Sequence, residues 1–499
     1  MLIYSLEKLL CGIDWVSDSD VSGVRVSGVR ANSKDIGRGD AFVCMKGCKR
    51  DGADYITEAL ERGAMVVICD KSCKRCNKNA IFVRVSDIRS AYAKLCSAVC
   101  GDPSRGMRMI GVTGTNGKTT VVNMIAAALR KSGRRVATVG TLGVSFEESG
   151  TLADGMTTPD PEVLYPLLAE LKEKGAQDVV MEASSHALEL CKLDAVAFDL
   201  GAITNMSAEH LDFHGNMDRY YQAKKKLMEK SKKAVFLTDD YYTSKMYSEA
   251  DGKKRVSCSC TKNDADCTVR EVSCNFRDGA SFTAVKNGKA ISVKSPIPAF
   301  FTVSNALLAY TALCELGVSE KDITEGIASL QSVDGRMERI ETGLDFSVYV
   351  DFAHTPDALS VLLKAVRHMK SPEGRIVTLF GCGGDRDKGK RSLMGAVASR
   401  LSDMVILTSD NCRSEKASDI IDMVMLGFDK SCPYVRIEDR AKAIRYAVSI
   451  AEKGDVILLC GKGHERYEIQ GSDKTPFSER DIVISELQAR KRGDGKSEA

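Results

Sequence analysis

No stretch of this sequence stays apolar for the roughly 18 residues that a membrane-crossing helix requires. Glu7 and Lys8 interrupt the opening residues where a secretion signal needs unbroken apolar character. Charge of one sign is also scarce. The 71 Lys and Arg set against 68 Asp and Glu leave +3, too little to mark nucleic acid or an anionic membrane as the main partner. Cysteine is not lacking, but its pattern is: the 18 cysteines are scattered, without the close spacing of a disulfide-stapled domain. Cys44 and Cys460 lie in apolar strand-like runs, where cysteine acts as a small hydrophobe. Cys69, Cys73 and Cys76 are spaced like half of a metal knuckle, yet no second CxxC and no nearby histidine completes four ligands. These absences predict a soluble cytoplasmic protein with reduced thiols and neither nucleic acid nor membrane as partner.

What is present is an ordinary globular composition, 43% apolar and 28% charged over 499 residues, which is long enough for about three domains. Residues 1–105 read as a small α/β domain, with strand-like runs at 24–29, 41–45, 65–69 and 81–85 and helical stretches near 54–63 and 87–100. Gly101-Asp102-Pro103 punctuates the chain after it. Residues 106–340 begin strand, glycine-rich turn, helix, with Gly133 placed to close that helix. Further strands are expected at 135–139, 178–181 and 197–204, the alternation of a parallel sheet covered by helices. The turn-rich stretch 256–294 reads as a small antiparallel insert or flank. Residues 341–499 start the alternation afresh as a Rossmann-like domain, and the tail from Arg490 reads as a frayed end. The glycine cluster at 381–384 fails the dinucleotide pattern, because the third glycine position holds Arg386.

Gly114-Thr115-Asn116-Gly117-Lys118-Thr119-Thr120 lies between the strand and the helix. Small residues there let backbone N–H groups curl around a phosphate, and the helix N-terminus adds its dipole. Lys118 is placed for β/γ-phosphate oxygens and the Thr119 hydroxyl for Mg²⁺. Glu182 and His210 follow two apolar strands, and ligands of open α/β sheets bind beyond such carboxyl ends. Both are therefore expected to face the phosphate loop. His210, Asp212 and His214 also mimic transition-metal spacing.

GVTGTNGKTT, TTPDP, MEASSHAL, TNMSAEHLDFHG, YYQAKKKL, GRMERI, VDFAHTPDAL, FGCGGDRDKGKR, SDNCRSE and GKGHE occur in this order over about residues 111–465. Together they resemble the Mur ligases, of the MurE type that adds the third amino acid of the peptidoglycan peptide. NSKDIGRGDAFVCMKG is similar to the uridine-binding segment of that family.

The resemblance implies an ATP-dependent amide ligase that works through an acyl phosphate. It implies UDP-MurNAc-L-Ala-D-Glu, meso-diaminopimelate and ATP as substrates, need of two Mg²⁺ ions, and action as a monomer. It assigns catalysis to Lys118, Glu182, His210 and Lys224, the last as a carbamylated lysine. Thr119, Glu182, His210 and Lys224 become the metal ligands. From the residues alone, Lys224 belongs to a basic helix face. ATP is assigned to residues 114–120 with Asn305, Arg336, Asp351 and His354. The nucleotide-sugar peptide is assigned to Ser33, Asn116, Thr157, Thr158, Ser184, His186 and Lys192. Diaminopimelate is assigned to Arg386, Asp410, Asn411, Arg413, Gly461 and Glu465. The MurE pattern DNPR reads here as Asp410-Asn411-Cys412-Arg413, with Arg413 expected at a helix start. A lysine-adding Mur ligase, a folylpolyglutamate synthetase-like ligase and a P-loop nucleotide-hydrolysing binding protein are the alternatives.

Overall fold

The computed structural model describes residues 3–47, 50–73, 80–147 and 156–492. Three sheets divide the chain. The N-terminal sheet runs in the order Trp15–Ser17, Ile81–Val85, Val66–Asp70, Ala41–Val43, Val29–Arg30, parallel except for its first strand.

The central sheet has ten strands. Its core is Val136–Gly140, Asp178–Glu182, Arg108–Thr113, Phe198–Ile203, Lys233–Leu237 and Arg255–Ser259 in that order, all parallel. Val136–Gly140 and Asp178–Glu182 are buried at every position, as strands covered on both faces must be. Gly143–Phe146 adds an antiparallel edge. The stretch expected as a small antiparallel insert or flank lies at the edge of this sheet and prolongs it. Cys267–Asn275 pairs parallel with Arg255–Ser259, and Gly279–Lys286 and Lys289–Ser295 follow antiparallel. Its inward residues Phe282, Ala284 and Val293 share an apolar core with the helix Phe300–Glu315. That shared burial is why it does not stand apart.

The helix Phe300–Glu315 is buried almost all round, as suits a helix inside a large core. The helix Lys118–Lys131 ends as the sequence predicts. Gly133 takes φ +78, its N–H bonds to Arg130 O, and Arg134 N–H bonds to Leu129 O, the paired bonds of a Schellman ending.

The C-terminal sheet runs Glu338–Ile340, Ser347–Asp351, Val456–Cys460, Ile376–Phe380, Met404–Leu407, Tyr434–Arg436, parallel except for its first strand. A hairpin, Tyr467–Gln470 and Asp473–Pro476, follows it. The helix Glu479–Arg492 takes in the first three residues of the stretch expected as a frayed end, the rest of which lies outside the described residues; Val483 and Leu487 bury one face of it. No helix among the described residues is long and apolar enough to cross a membrane.

Candidate active site

The chain leaves the strand Arg108–Thr113 and turns into the helix Lys118–Lys131 within four residues. Gly114 has φ +140 and Gly117 φ +86. A Cβ on Gly114 would stand 1.8 Å from Thr204 Oγ1, and one on Gly117 2.4 Å from Asn305 Oδ1. Only glycine fits either position. The neighbouring strand end straps the loop down. Thr115 N–H donates to Asn205 O (2.9 Å), Asn116 N–H to Asn205 Oδ1 (2.9 Å), and Thr204 Oγ1 to Asn116 O (2.6 Å). Lys118 Nζ donates to the carbonyls of Gly114 (2.9 Å) and Thr115 (2.8 Å). Burial pushes its pKa down, against the pull of Glu209 and Glu182. Thr120 is buried in the first turn of the helix.

Glu182 meets this loop as its strand-end position predicts. It is 1% exposed. Its Oε1 accepts from Thr119 Oγ1 (3.0 Å) and Thr141 N–H (2.8 Å), and its Oε2 from Thr141 Oγ1 (3.2 Å). Thr157 Oγ1 lies 3.1 Å from Thr141 Oγ1, while Thr158 Oγ1 donates to Glu182 O (2.8 Å) and lies 3.2 Å from Ser184 Oγ. The His186 ring stands 4.7 Å from that of His210 and 4.2 Å from Phe213.

Lys224 is 1% exposed. Its Nζ donates to Gly114 O (2.7 Å) and sits 4.6 Å from the Tyr220 ring centre. Burial and repulsion from Lys118 hold its pKa well below the ordinary lysine value, against the attraction of Glu209. The basic helix face thus divides: Lys225 and Lys226 reach Glu249 and Glu189 at the surface, and Lys224 turns inward.

Two metal-like spacings in the sequence fall here. His210, Asp212 and His214 do not gather as metal ligands. His214 is buried, with Nε2 3.0 Å from Ser185 Oγ, because the short helix Leu211–His214 turns it into the core while His210 stays outside. Among the described residues no group of three His, Cys, Asp or Glu side chains is poised to hold a metal. Cys69 is buried and its thiol is pushed up to about 12, by burial first and by Cys73, which disfavours the thiolate a metal needs; Cys76 lies outside the described residues.

The donor set nevertheless suits magnesium. The Thr119 hydroxyl and Glu182 carboxylate are adjacent, hard oxygen donors at the phosphate loop. Unmodified, Lys224 repels a cation. As a carbamate it would supply a further anionic oxygen group beside His210, and a depressed amine pKa favours that modification.

Residues beyond the central sheet close over the loop. Asn305 packs against Gly117. Arg336 Nη2 donates to Thr119 Oγ1 (3.4 Å), with its guanidinium 4.6 Å from the Phe352 ring centre. Asp351 caps backbone: Oδ2 accepts from Met337 N–H and Oδ1 from Ala353 N–H, both at 2.8 Å. It thereby fixes the turn that carries Arg336. His354 Nδ1 donates to Phe352 O (2.8 Å) and its Nε2 lies 3.8 Å from Glu209 Oε1.

The amino-acid candidates gather at the far strand ends. A Cβ on Gly383 would stand 3.2 Å from Arg413 Nη1, 3.7 Å from Arg386 Cγ and 3.8 Å from Asn411 O. Asn411 Nδ2 donates to Glu465 Oε2 (2.7 Å). Burial first, and the neighbouring Asp410, raise the Glu465 pKa. Gly461 has φ +109 and would place a Cβ 2.9 Å from Asp410 Oδ2. Arg413 is not at a helix start as expected, since the next helix begins at Ala417. Instead it takes φ +50, its N–H bonds to Ile469 O (3.1 Å), and its O accepts from Gly471 N–H (2.8 Å). Cys412 is 6% exposed, with Sγ 3.5 Å from Asp410 O.

Two candidates stand in local pairs. Lys192 Nζ is 2.6 Å from Asp160 Oδ1, and Ser33 Oγ donates to Glu58 Oε2 (3.0 Å) on the N-terminal domain. Three neighbours escape the sequence reading. Thr141 follows a strand end as Glu182 does and would have been found by the same rule. Glu209 precedes His210 in the string already singled out. Its carboxyl lies between two imidazoles, and His210, His354, Lys118 and Lys224 outweigh burial to lower its pKa. Asp357 Oδ2 accepts from Ser207 Oγ (2.8 Å) and Asn116 Nδ2 (3.4 Å), joining the C-terminal domain to the phosphate loop.

Residues 25–99, 112–313 and 335–463 match the family models described as Mur ligase family, catalytic domain; Mur ligase middle domain; and Mur ligase, glutamate ligase domain. The chain is 41% identical over 466 residues to the UDP-N-acetylmuramoyl-L-alanyl-D-glutamate–2,6-diaminopimelate ligase of Caldanaerobacter subterraneus subsp. tengcongensis, covering 93% of this chain and 94% of that one. It is 37% identical over 478 residues to ligase 1 of the same name from Clostridium acetobutylicum, covering 95% and 96%. A solved structure of a ligase of that name superposes with a TM-score of 0.71 at 30% identity, over 98% of this chain and 100% of the other.

Proposed function

Because the chain belongs to the Mur ligase family, we propose that it joins meso-diaminopimelate to UDP-MurNAc-L-Ala-D-Glu at the expense of ATP, in the cytoplasm and as a monomer. Members of the family are ATP-dependent amide ligases, and this chain is one.

The observation that carries the choice of amino acid is the grouping of Arg413 and Glu465 around Asn411. A guanidinium answers the distal carboxylate of diaminopimelate, and a carboxylate answers its distal ammonium. Lysine offers only the ammonium.

In the reaction, a carboxylate oxygen of the D-glutamyl residue attacks the γ-phosphorus of ATP, forming an acyl phosphate and releasing ADP. The amine of the incoming amino acid attacks the acyl carbon, loses a proton, and phosphate leaves as the amide forms. Bringing a carboxylate to a triphosphate is electrostatically costly. Lys118 offsets part of that repulsion from the phosphate loop, and two magnesium ions, when bound, screen the rest. Thr119 and Glu182 would hold the first ion, and His210 with carbamylated Lys224 the second. Asn305, Arg336, Asp351 and His354 would hold the nucleotide against loop 114–120. Thr157, Thr158, Ser184 and His186, beside Glu182, would orient the peptide with Asn116. Lys192 would neutralise its diphosphate, and Ser33 would meet the uridine end.

Replacing the cation tests the assignment. Arg413→Ala should lower kcat/KM for diaminopimelate by about 100-fold or more while fluorescent-nucleotide titration shows unchanged ATP binding. Unaltered diaminopimelate kinetics would remove Arg413 from the site.

A further inference from the structure

Lys462 follows the strand Val456–Cys460 by two residues, and its side chain has no exposed surface. A buried ammonium is no better a stabiliser than a well-packed apolar side chain of its volume. Its hydrogen bonds show a different use. Nζ donates to Asn411 Oδ1 (3.0 Å) and to Tyr467 O (2.8 Å), and it lies 3.9 Å from Asp410 Oδ1. Two hydrogen bonds take two of its three protons, and the Asp410 carboxylate stands by as an ion-pair partner.

We propose that Lys462 is the positioning residue for amino-acid recognition, orienting Asn411 and Glu465 on one side and anchoring the hairpin that shapes Arg413 on the other. The inference rests on the diaminopimelate reading above and deepens it.

The first arm runs through the Asn411 amide. Its Oδ1 accepts from both Lys462 Nζ and Ile469 N–H, each at 3.0 Å. Two donors on one atom settle which end of the amide is oxygen. Nδ2 must then face Glu465 Oε2, where it donates at 2.7 Å. The second carboxylate oxygen, Oε1, is 3.4 Å from Tyr467 Oη, and the Tyr467 carbonyl is itself held by Lys462. One ammonium thus orients Glu465 by two routes.

The second arm runs through the hairpin. Lys462 grips Tyr467 at the start of Tyr467–Gln470, and two residues on, Ile469 O accepts the Arg413 N–H. Gly471 N–H then donates to Arg413 O. These backbone bonds hold Arg413 in its left-handed conformation and direct its guanidinium towards Gly383 and Arg386. The cation and the anion that would grip the amino acid's distal end are therefore set relative to each other through Lys462. With no exposed surface, Lys462 would act through these neighbours.

The test uses full-length Lys462→Met and Lys462→Gln, with kinetics in meso-diaminopimelate, L-lysine and ATP. Lys462→Met should raise KM for diaminopimelate about 10- to 100-fold, the scale of a one-ångström misplacement. It should leave KM for ATP unchanged and lower the preference for diaminopimelate over lysine by a similar factor. Lys462→Gln keeps an N–H donor without the charge and should recover part of the loss. A soluble Lys462→Met with wild-type KM and preference would overturn the inference alone. So would aggregation of both variants, which would make the lysine a folding requirement. If only Lys462→Met aggregates, the Lys462→Gln kinetics decide by the same criteria. Wild-type protein that selects lysine would overturn the diaminopimelate reading and this inference with it.

Discussion

Lys224 shows what burial does to a residue type. Two of three adjacent lysines pair with surface carboxylates, whereas the first lies inside, against a phosphate-loop carbonyl, with its pKa well down. Carbon dioxide forms a carbamate with the neutral form of a primary amine, the nitrogen bonding carbon and releasing its proton, and a lowered pKa favours that form. An arginine in the same place stays charged and cannot do this. Lys224→Arg should therefore cost about 100-fold or more in kcat with nucleotide binding retained, measured by phosphate release and nucleotide titration. Near-normal turnover would mean that the position needs only a cation. Cys412 is the other informative residue. Its side chain is buried beside the Asp410 carbonyl and the following Arg413 still reaches Gly384 O at 2.8 Å.

At the level of elements, close approach decides most of the geometry. The phosphate loop can lie against Thr204 and Asn305 only because positions 114 and 117 lack a Cβ. Gly117→Ala adds backbone strain of about 1–3 kcal/mol as well as a clash with Asn305, so ATP affinity should fall by about tenfold or more; an unchanged nucleotide titration would contradict this. In the C-terminal domain, Arg440 ties its helix, Arg440–Ser449, to the last helix, the strand Val456–Cys460 and the loop after Met404–Leu407. It donates to Glu479 Oε1 (2.9 Å), Ser409 O (2.9 Å) and Cys460 O (2.8 Å). Both members of the ion pair are buried. Arg440→Met strands the Glu479 carboxylate and should cost about 3–5 kcal/mol, seen as a lower urea midpoint for the C-terminal domain. A midpoint within error of wild type would show that the pair contributes nothing net.

Across the whole molecule, candidate residues of the central and C-terminal domains meet at the phosphate loop, with Asp357 and Arg336 reaching it from the C-terminal side. The buried parallel strands are legible in the sequence because burial on both faces makes them continuous apolar runs. Glu182 is legible because it follows one. The short edge strands Gly143–Phe146, Glu338–Ile340 and Tyr434–Arg436 are not, since tertiary pairing rather than local pattern makes them strands. Lys462 and Glu209 are illegible for a related reason: a charged residue reads as surface until the partners that pay for its burial are seen. The most direct measurement of the central claim is phosphate release from ATP with UDP-MurNAc-L-Ala-D-Glu, comparing meso-diaminopimelate with L-lysine. The account predicts release that depends on both the nucleotide-sugar peptide and diaminopimelate, with lysine a poor substitute. Turnover without any amino acid, or a preference for lysine, would contradict it.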